Sequence, residues 1–337
     1  MKTLRTLLFP FAVLYGWVTG FRNYLYDKNI LKSKEYKLPI ICVGNLSVGG
    51  TGKSPMIEFL IETLQNDYKI AVLSRGYKRK TSGFLEVVTA HTAEETGDEP
   101  LQFKKKFPNV TVAVCADRRT GIEQLQKKTE VILLDDAFQH RKVKASTNIL
   151  LTPFHDLYIN DYMLPTGNLR EQRIGAKRAD IIVITKCPDK VPYSKLQEIE
   201  FVTPLQNHQE IYFSSIGYDD TIYGKTESLP LDYLLDKKFT LVTGIANPKP
   251  LVDFMKNKNF QFTHKKYADH HHFSSEEIEK LKKEELIITT EKDFMRLQHK
   301  LDKFALYYLP ITTKIKNGQE QYFKESILKR VEAKFKG

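Results

Sequence analysis

Residues 38–64 read LPIICVGNLSVGGTGKSPMIEFLIETL. Leu38 to Val43 is an unbroken apolar run of strand length that stops at Gly44. From Pro55 onward Ile57, Leu60, Ile61 and Leu64 recur at helical spacing. Between the two lies Ser47-Val48-Gly49-Gly50-Thr51-Gly52-Lys53-Ser54, which follows the phosphate-binding loop pattern with Ser47 in place of the first glycine. Gly49, Gly50 and Gly52 allow a tight turn that aims backbone N–H groups at phosphate oxygens. Lys53 adds a point charge for the β and γ oxygens, Ser54 a hydroxyl for Mg²⁺, and the helix N-terminus its positive dipole end. Pro55 falls in the first helical turn, where its missing N–H costs nothing. A nucleoside triphosphate site is expected over residues 47–54.

Working outward, Ile70 to Leu73, Val110 to Val114, Val131 to Leu134 and Ile181 to Ile184 are further short β-branched runs, mostly separated by helical stretches. Doubly buried strands alternating with helices predict an α/β fold with a mostly parallel sheet, here a P-loop NTPase-like α/β/α sandwich. The run Val131 to Leu134 ends in Asp135 and Asp136, the form of a Walker B strand that holds Mg²⁺ directly or through water. A polar, turn-rich stretch with Asp219, Asp220, Gly224 and Pro230 precedes a new strand–helix series from Phe239. The expected organisation is an N-terminal segment (1–35), a nucleotide-binding domain (36–218), a hinge (219–236) and a smaller α/β domain (237–337).

The chain has 337 residues, 52 Lys plus Arg against 41 Asp plus Glu, and a net charge of +11. Such a surface favours an anionic partner. No zinc-finger spacing, RNP-like aromatic motif or long basic tract accompanies it, so nucleic acid is not expected. Cys42, Cys115 and Cys187 are widely spaced in or beside apolar runs and are expected as buried thiols in a reducing compartment. Leu7 to Val18 reads LLFPFAVLYGWV, flanked by Lys2, Arg5, Arg22, Lys28, Lys32 and Lys34. It is shorter than the ~18–20 apolar residues of a spanning helix. Tyr15 and Trp17 suit the boundary between hydrocarbon and headgroups, so a helix lying on an anionic leaflet is expected in preference to a buried core helix.

Several short words resemble one family in order along nearly the whole chain. They are Val43-Gly44-Asn45-Leu46, Ser74-Arg75-Gly76-Tyr77, Gly97-Asp98-Glu99-Pro100, Asp135-Asp136-Ala137-Phe138-Gln139-His140, Leu164-Pro165 with Gly167, and Leu169-Arg170-Glu171. Ala268-Asp269-His270, Thr290-Glu291-Lys292-Asp293 and Tyr308-Leu309-Pro310 complete the set. The set resembles the tetraacyldisaccharide 4'-kinases of lipid A synthesis. Lys78, Asn168 and Ala137-Phe138 depart from the usual family residues at loop or apolar positions. The resemblance implies transfer of the γ-phosphate of ATP to the 4'-hydroxyl of an acylated glucosamine disaccharide 1-phosphate. It also implies a peripheral protein, expected as a monomer, on the cytoplasmic face of the bacterial inner membrane.

A sugar hydroxyl must lose its proton as phosphoryl transfer proceeds. By itself Asp98 reads as a helix N-cap and His270 as a structural histidine; the resemblance implies that they form a carboxylate–histidine dyad. Ser54, Asp135 and Glu171 are candidate Mg²⁺ ligands, with Asp136 behind or in place of them; Glu171 rests on the resemblance. Arg75, Arg118, Arg119 and Arg170 are candidate phosphate or substrate contacts. His270-His271-His272 is not read as a zinc site, since successive side chains diverge. A membrane-linked ATPase of the partition type is the alternative, weakened by Val48 where that class carries a signature lysine. Thr185-Lys186-Cys187-Pro188-Asp189 has the wrong spacing for a guanine reader.

Overall fold

The computed structural model describes residues 5–269, 271–301 and 305–336. Its centre is the strand Ile40–Gly44, buried at every position and paired in parallel with Val131–Asp135 on one side and Thr147–Pro153 on the other. Ile70–Ser74, Thr111–Val114 and an antiparallel edge, Leu85–Glu86, extend the sheet beyond the first neighbour. Ile181–Thr185, Glu210–Tyr218 and an antiparallel edge, Ile311–Ile315, extend it beyond the second. The result is a nine-stranded sheet, parallel except at its two edges. Side chains alternate between its faces. Ile41 and Val43 join a core with Ile57, Leu60 and Leu64 of the helix Lys53–Leu64. Ile40 and Cys42 join a second core with Ile122, Leu125 and Leu196 on the opposite face. All three cysteines are free and buried.

A six-stranded sheet carries the later part of the chain. Its parallel set is Gln261–Lys266, Lys238–Thr243, Ile287–Thr290 and Leu306–Leu309, and the hairpin Thr221–Tyr223 with Ser228–Pro230 is added antiparallel. This differs from the expected division in two ways. Residues 219–236 are not a bare linker, because they supply two strands and a 3-10 turn, Leu231–Leu234, whose Leu231 and Leu234 are buried. Residues 311–336 return to the large sheet as its edge strand and as the helix Glu320–Lys336. That helix buries Phe323, Ile327 and Val331 on one stripe, with Phe323 against Phe59 and Tyr212 at ring-centroid distances of 5.5 and 4.8 Å. Val242, Ile287 and Phe294 lie in the same apolar cluster as Ile57 and Leu60, so the two sheets share one continuous core.

The N-terminal helix, Phe9–Asp27, starts at Pro10 in its first turn and buries only Ala12, Gly16 and Tyr26. Phe11, Leu14, Trp17, Val18 and Phe21 are each more than 60% exposed, so the expected core-helix alternative fails and an apolar face stands free. Its other face is hydrogen-bonded to the rest of the chain. Tyr15 Oη donates to the Arg170 carbonyl at 3.0 Å, Gln172 Nε2 to the Gly16 carbonyl at 3.0 Å, and Asn23 Nδ2 to Glu171 at 2.8 Å. A Cβ at Gly20 would come within 2.8 Å of Gln172 Nε2, so that amide would have to shift. Among the described residues no helix is long and apolar enough to cross a membrane.

At the junction of the sheets, Glu58 of the Lys53–Leu64 helix accepts from Gln102 at 2.7 Å and from Lys106 at 2.6 Å, both on the helix Asp98–Lys106. Glu291 is buried beside them, and its carboxylate oxygens have no hydrogen-bond partner among the described residues. Burial, then the charge of Glu58, pushes Glu291 up to about 8 against the pull of Lys106 and Lys292. Two carboxylates and one ammonium leave a proton on the cluster. Because the folded value lies above the ordinary 4.5, this contribution to stability is full below pH 4.5 and is lost as pH rises through about 8. Glu291→Gln, which mimics the protonated acid, should lose less stability than the wild type over that window in urea titrations. Independently, Phe323→Ala should destabilise by ~3–5 kcal/mol, seen as an earlier urea midpoint, because it empties a site between two aromatic rings.

Candidate active site

The phosphate loop is shaped by residues that no other side chains could replace cheaply. Gly52 caps the Lys53–Leu64 helix at φ 92°, a left-handed conformation that costs an L-residue strain. Gly44 lets the loop pass the Walker B turn, since a Cβ there would approach Phe138 Cβ to 2.6 Å. Ser47 and Val48 are tied to the segment 168–169: Val48 N–H donates to the Asn168 carbonyl at 2.8 Å, and Ser47 bridges Leu169. Ser47 and Val48 are thus held by backbone contacts to that segment, and Gly49 to Ser54 complete the expected loop. Lys53 Nζ lies 3.4 Å from Asn45 Oδ1 and 3.7 Å from Asp136. Ser54 Oγ donates to Glu99 Oε1 at 2.9 Å.

The acidic wall follows from the strand Val131–Asp135. Asp135 is buried at its end, accepts from Ser74 Oγ at 3.0 Å through Oδ2, and has no hydrogen-bond partner for Oδ1 among the described residues. Burial first, then the charges of Glu99 and Asp136, push it up to about 7. Asp136 turns outward at φ 46° and is paired with Arg170 at 2.8 Å. Burial opposes ionisation there too, but the Arg170 hydrogen bond and the Lys53 ammonium outweigh it and hold Asp136 below the usual range. Adjacent carboxylates pushed apart in this way are a mark of a working site. An unpartnered oxygen on a buried acid, beside a serine hydroxyl and a second carboxylate, is a hard-donor set that fits Mg²⁺. Among the described residues no three His, Cys, Asp or Glu side chains form a chelating cluster.

Three sequence-based expectations are revised. Glu171 is buried with both oxygens engaged, Oε1 by Gln139 at 3.1 Å and Arg178 at 2.7 Å, Oε2 by Asn23 at 2.8 Å. In this arrangement its carboxylate anchors the N-terminal helix. Arg118 is buried and donates to the carbonyls of Cys115 at 3.0 Å and Asp135 at 3.2 Å, which makes it a brace under the Walker B turn. Arg119 pairs with Asp117 at 2.9 Å at the start of its own helix. Arg75 is exposed, and among the described residues Arg170 is the one of the four that pairs with a carboxylate of the acidic wall.

Asp98 opens the helix Asp98–Lys106, with Gly97 and not Asp98 at the N-cap. Its carboxylate accepts from Arg296, on the helix Glu291–Leu297 of the six-stranded sheet, and Arg296 also reaches Asp293 at 3.1 Å. The neighbouring Glu99 pairs with Lys292 of that same helix at 2.7 Å. The expected partner, His270, lies outside the described residues. Glu99, Lys292 and Arg296 had no role assigned from sequence, although two of them stand within quoted words. Thr185 and Lys186, considered only as a base reader, contact the loop itself: Thr185 Oγ1 donates to the Thr51 carbonyl at 2.7 Å and Lys186 Nζ to the Gly50 carbonyl. A groove lined by Gly52, Met56, Thr185, Lys186, Ser214 and Thr313 leads away from this point.

The defining pattern of LpxK, tetraacyldisaccharide-1-P 4'-kinase, matches residues 4–332. The tetraacyldisaccharide 4'-kinase of Flavobacterium johnsoniae is 51% identical over 340 residues, spanning 97% of this chain and 99% of its own length. That of Parabacteroides distasonis is 44% identical over 352 residues, spanning 98% and 95%. Among solved structures, the "apo" form of LpxK from Aquifex aeolicus in complex with ATP aligns with a TM-score of 0.80 at 33% identity, over 97% of this chain and 99% of that one. With the loop, the acidic wall and the two-sheet architecture all in place, the chain belongs to the LpxK family of tetraacyldisaccharide-1-P 4'-kinases.

Proposed function

We propose that the protein transfers the γ-phosphate of ATP to the 4'-hydroxyl of a tetraacylated glucosamine disaccharide 1-phosphate, in lipid A biosynthesis, at the cytoplasmic face of the inner membrane. The observation that carries the reading is the meeting of Lys53 and Ser54 with Asp135, Asp136 and Glu99 at the foot of the helix that begins with Asp98. The acceptor oxygen bonds to the γ-phosphorus as the bond from that phosphorus to the bridging oxygen of ADP breaks. The hydroxyl proton passes to Asp98, which Arg296 holds in place, with His270 as the partner implied by the family. Ser54, Asp135 and Asp136 would hold Mg²⁺, which when bound neutralises charge on the phosphates. Backbone N–H groups of the loop and Lys53 orient the triphosphate, and Arg170 keeps Asp136 facing it.

The exposed face of Phe11, Leu14, Trp17 and Phe21 supports membrane association, and the basic flank at Lys28 and Lys32 suits anionic headgroups. An amphiphilic acceptor would then reach the site without leaving the leaflet.

Incubation with γ-labelled ATP, Mg²⁺ and detergent-dispersed acylated disaccharide 1-phosphate should place label in the lipid fraction, and Lys53→Ala should abolish it. Unlabelled lipid from ATP-binding wild-type protein would overturn the reading. Asp98→Ala should cut turnover by about 10²–10⁴ while ATP still binds; near-normal rates would remove Asp98 as the base. Phe11→Glu with Trp17→Glu should release the protein from anionic vesicles in a flotation assay.

A further inference from the structure

A phosphate loop can aim its N–H groups inward only if its carbonyls point outward, and donors fixed on those carbonyls hold it in that shape. Here two of them are met by consecutive residues. Thr185 Oγ1 donates to the Thr51 carbonyl at 2.7 Å, and Lys186 Nζ donates to the Gly50 carbonyl. Both donors stand at the C-terminal end of Ile181–Thr185, a strand buried at every position and paired on both sides. The support is therefore as rigid as the sheet.

The backbone of Lys186 is strained to make this contact. Its φ of 56° lies in the left-handed region, which a non-glycine residue keeps only where its surroundings enforce it. They do: Phe154 N–H donates to the Thr185 carbonyl at 2.8 Å, and Cys187 N–H to the Ser214 carbonyl at 2.9 Å. The charge is also unusual. No carboxylate pairs with Lys186 among the described residues, and burial, with the nearby ammonium groups of Lys292 and Lys53, lowers its affinity for its proton. A half-buried cation beside two other cations is a poor element of a folded protein and a good one of a polyanion site.

We propose that Thr185 and Lys186 are positioning residues for the triphosphate, pinning the Thr51 and Gly50 carbonyls outward so that the loop is preset for phosphate. The proposal rests on ATP being the phosphate donor. The pair acts through the loop, so its loss weakens nucleotide binding and leaves the acceptor's KM alone.

The test uses the full chain carrying Lys186→Gly, Lys186→Met, Lys186→Arg or Thr185→Val. ATP binding is measured by calorimetry without lipid, and steady-state kinetics with the detergent-dispersed acceptor. Lys186→Gly relieves the left-handed strain, so its melting temperature should hold or rise while ATP affinity falls about tenfold, as expected for a lost charged hydrogen bond. Lys186→Met and Thr185→Val should weaken ATP similarly, and Lys186→Arg should recover part of the loss. Unchanged ATP affinity in a stably folded Lys186→Gly protein overturns the proposal. So does a fall in kcat at saturating ATP with unchanged affinity, which would put the ammonium on the transferred group. If the wild type labels no lipid, the kinase reading fails, and the calorimetric arm still decides the role of the pair.

Discussion

One carboxylate oxygen, Glu99 Oε1, accepts from Ser54 of the phosphate loop at 2.9 Å and from Lys292 of the six-stranded sheet at 2.7 Å. Through it the nucleotide loop, the helix carrying Asp98 and the second sheet meet at one point. Both side chains of the ion pair remain about one-third exposed. A pair so placed is worth little in stability, ~1 kcal/mol or less. Its effect is geometric: it sets where the helix Glu291–Leu297 stands over the loop, and with it Arg296 on Asp98. The stability of that junction comes from the shared apolar core below it, where Ile57, Leu60, Val242 and Phe294 are buried together.

The charges around the loop balance only approximately. Burial opposes ionisation at Glu99, Asp136 and Asp135 alike; Lys292, Lys53 and Arg170 outweigh it at the first two, whereas at Asp135 burial and the charges of Glu99 and Asp136 prevail over Lys53 and push it up to about 7. Lys186 is displaced in the opposite sense, for the opposite reason. Around the loop, Asp135 and Lys186 are thus an acid and a base displaced in opposite senses, and a metal–triphosphate would bring a cation for the first and an anion for the second.

What could be read from sequence follows the range of the interactions. The strand–loop–helix unit is local: Ile40–Gly44 and Lys53–Leu64 appear where the apolar run and the helical spacing put them. The Walker B strand, Ile70–Ser74, Ile181–Thr185 and Lys238–Thr243 likewise came from short β-branched runs. The return of Ile311–Ile315 to the large sheet did not, because its mixed ITTKI pattern suits any edge and its pairing with Glu210–Tyr218 is a long-range contact. Side-chain partnerships over long separations were equally hidden. Arg296 and Asp98 are 198 residues apart, and nothing in Gly-Asp-Glu-Pro says which helix will supply the guanidinium. The partners of Glu171 were hidden for the same reason, since its three donors come from residues 23, 139 and 178.

The N-terminal helix joins these two levels. Its hydrogen-bonded face is fixed to residues 170–172, and Arg170 is the residue that holds Asp136. Its free face is too apolar to be an ordinary solvent-facing surface. A helix that merely tethered the protein would need no polar contacts with the segment beside the Walker B turn, and one that only packed a core would not leave Trp17 three-quarters exposed. The two faces together hold the exposed aromatic side chains in a fixed relation to residues 170–172, and through Arg170 to Asp136. If the proposed membrane association holds, an acceptor kept in a leaflet would meet the phosphate at a height that this helix sets, and its length and orientation would then belong to the geometry of the reaction as much as the loop does.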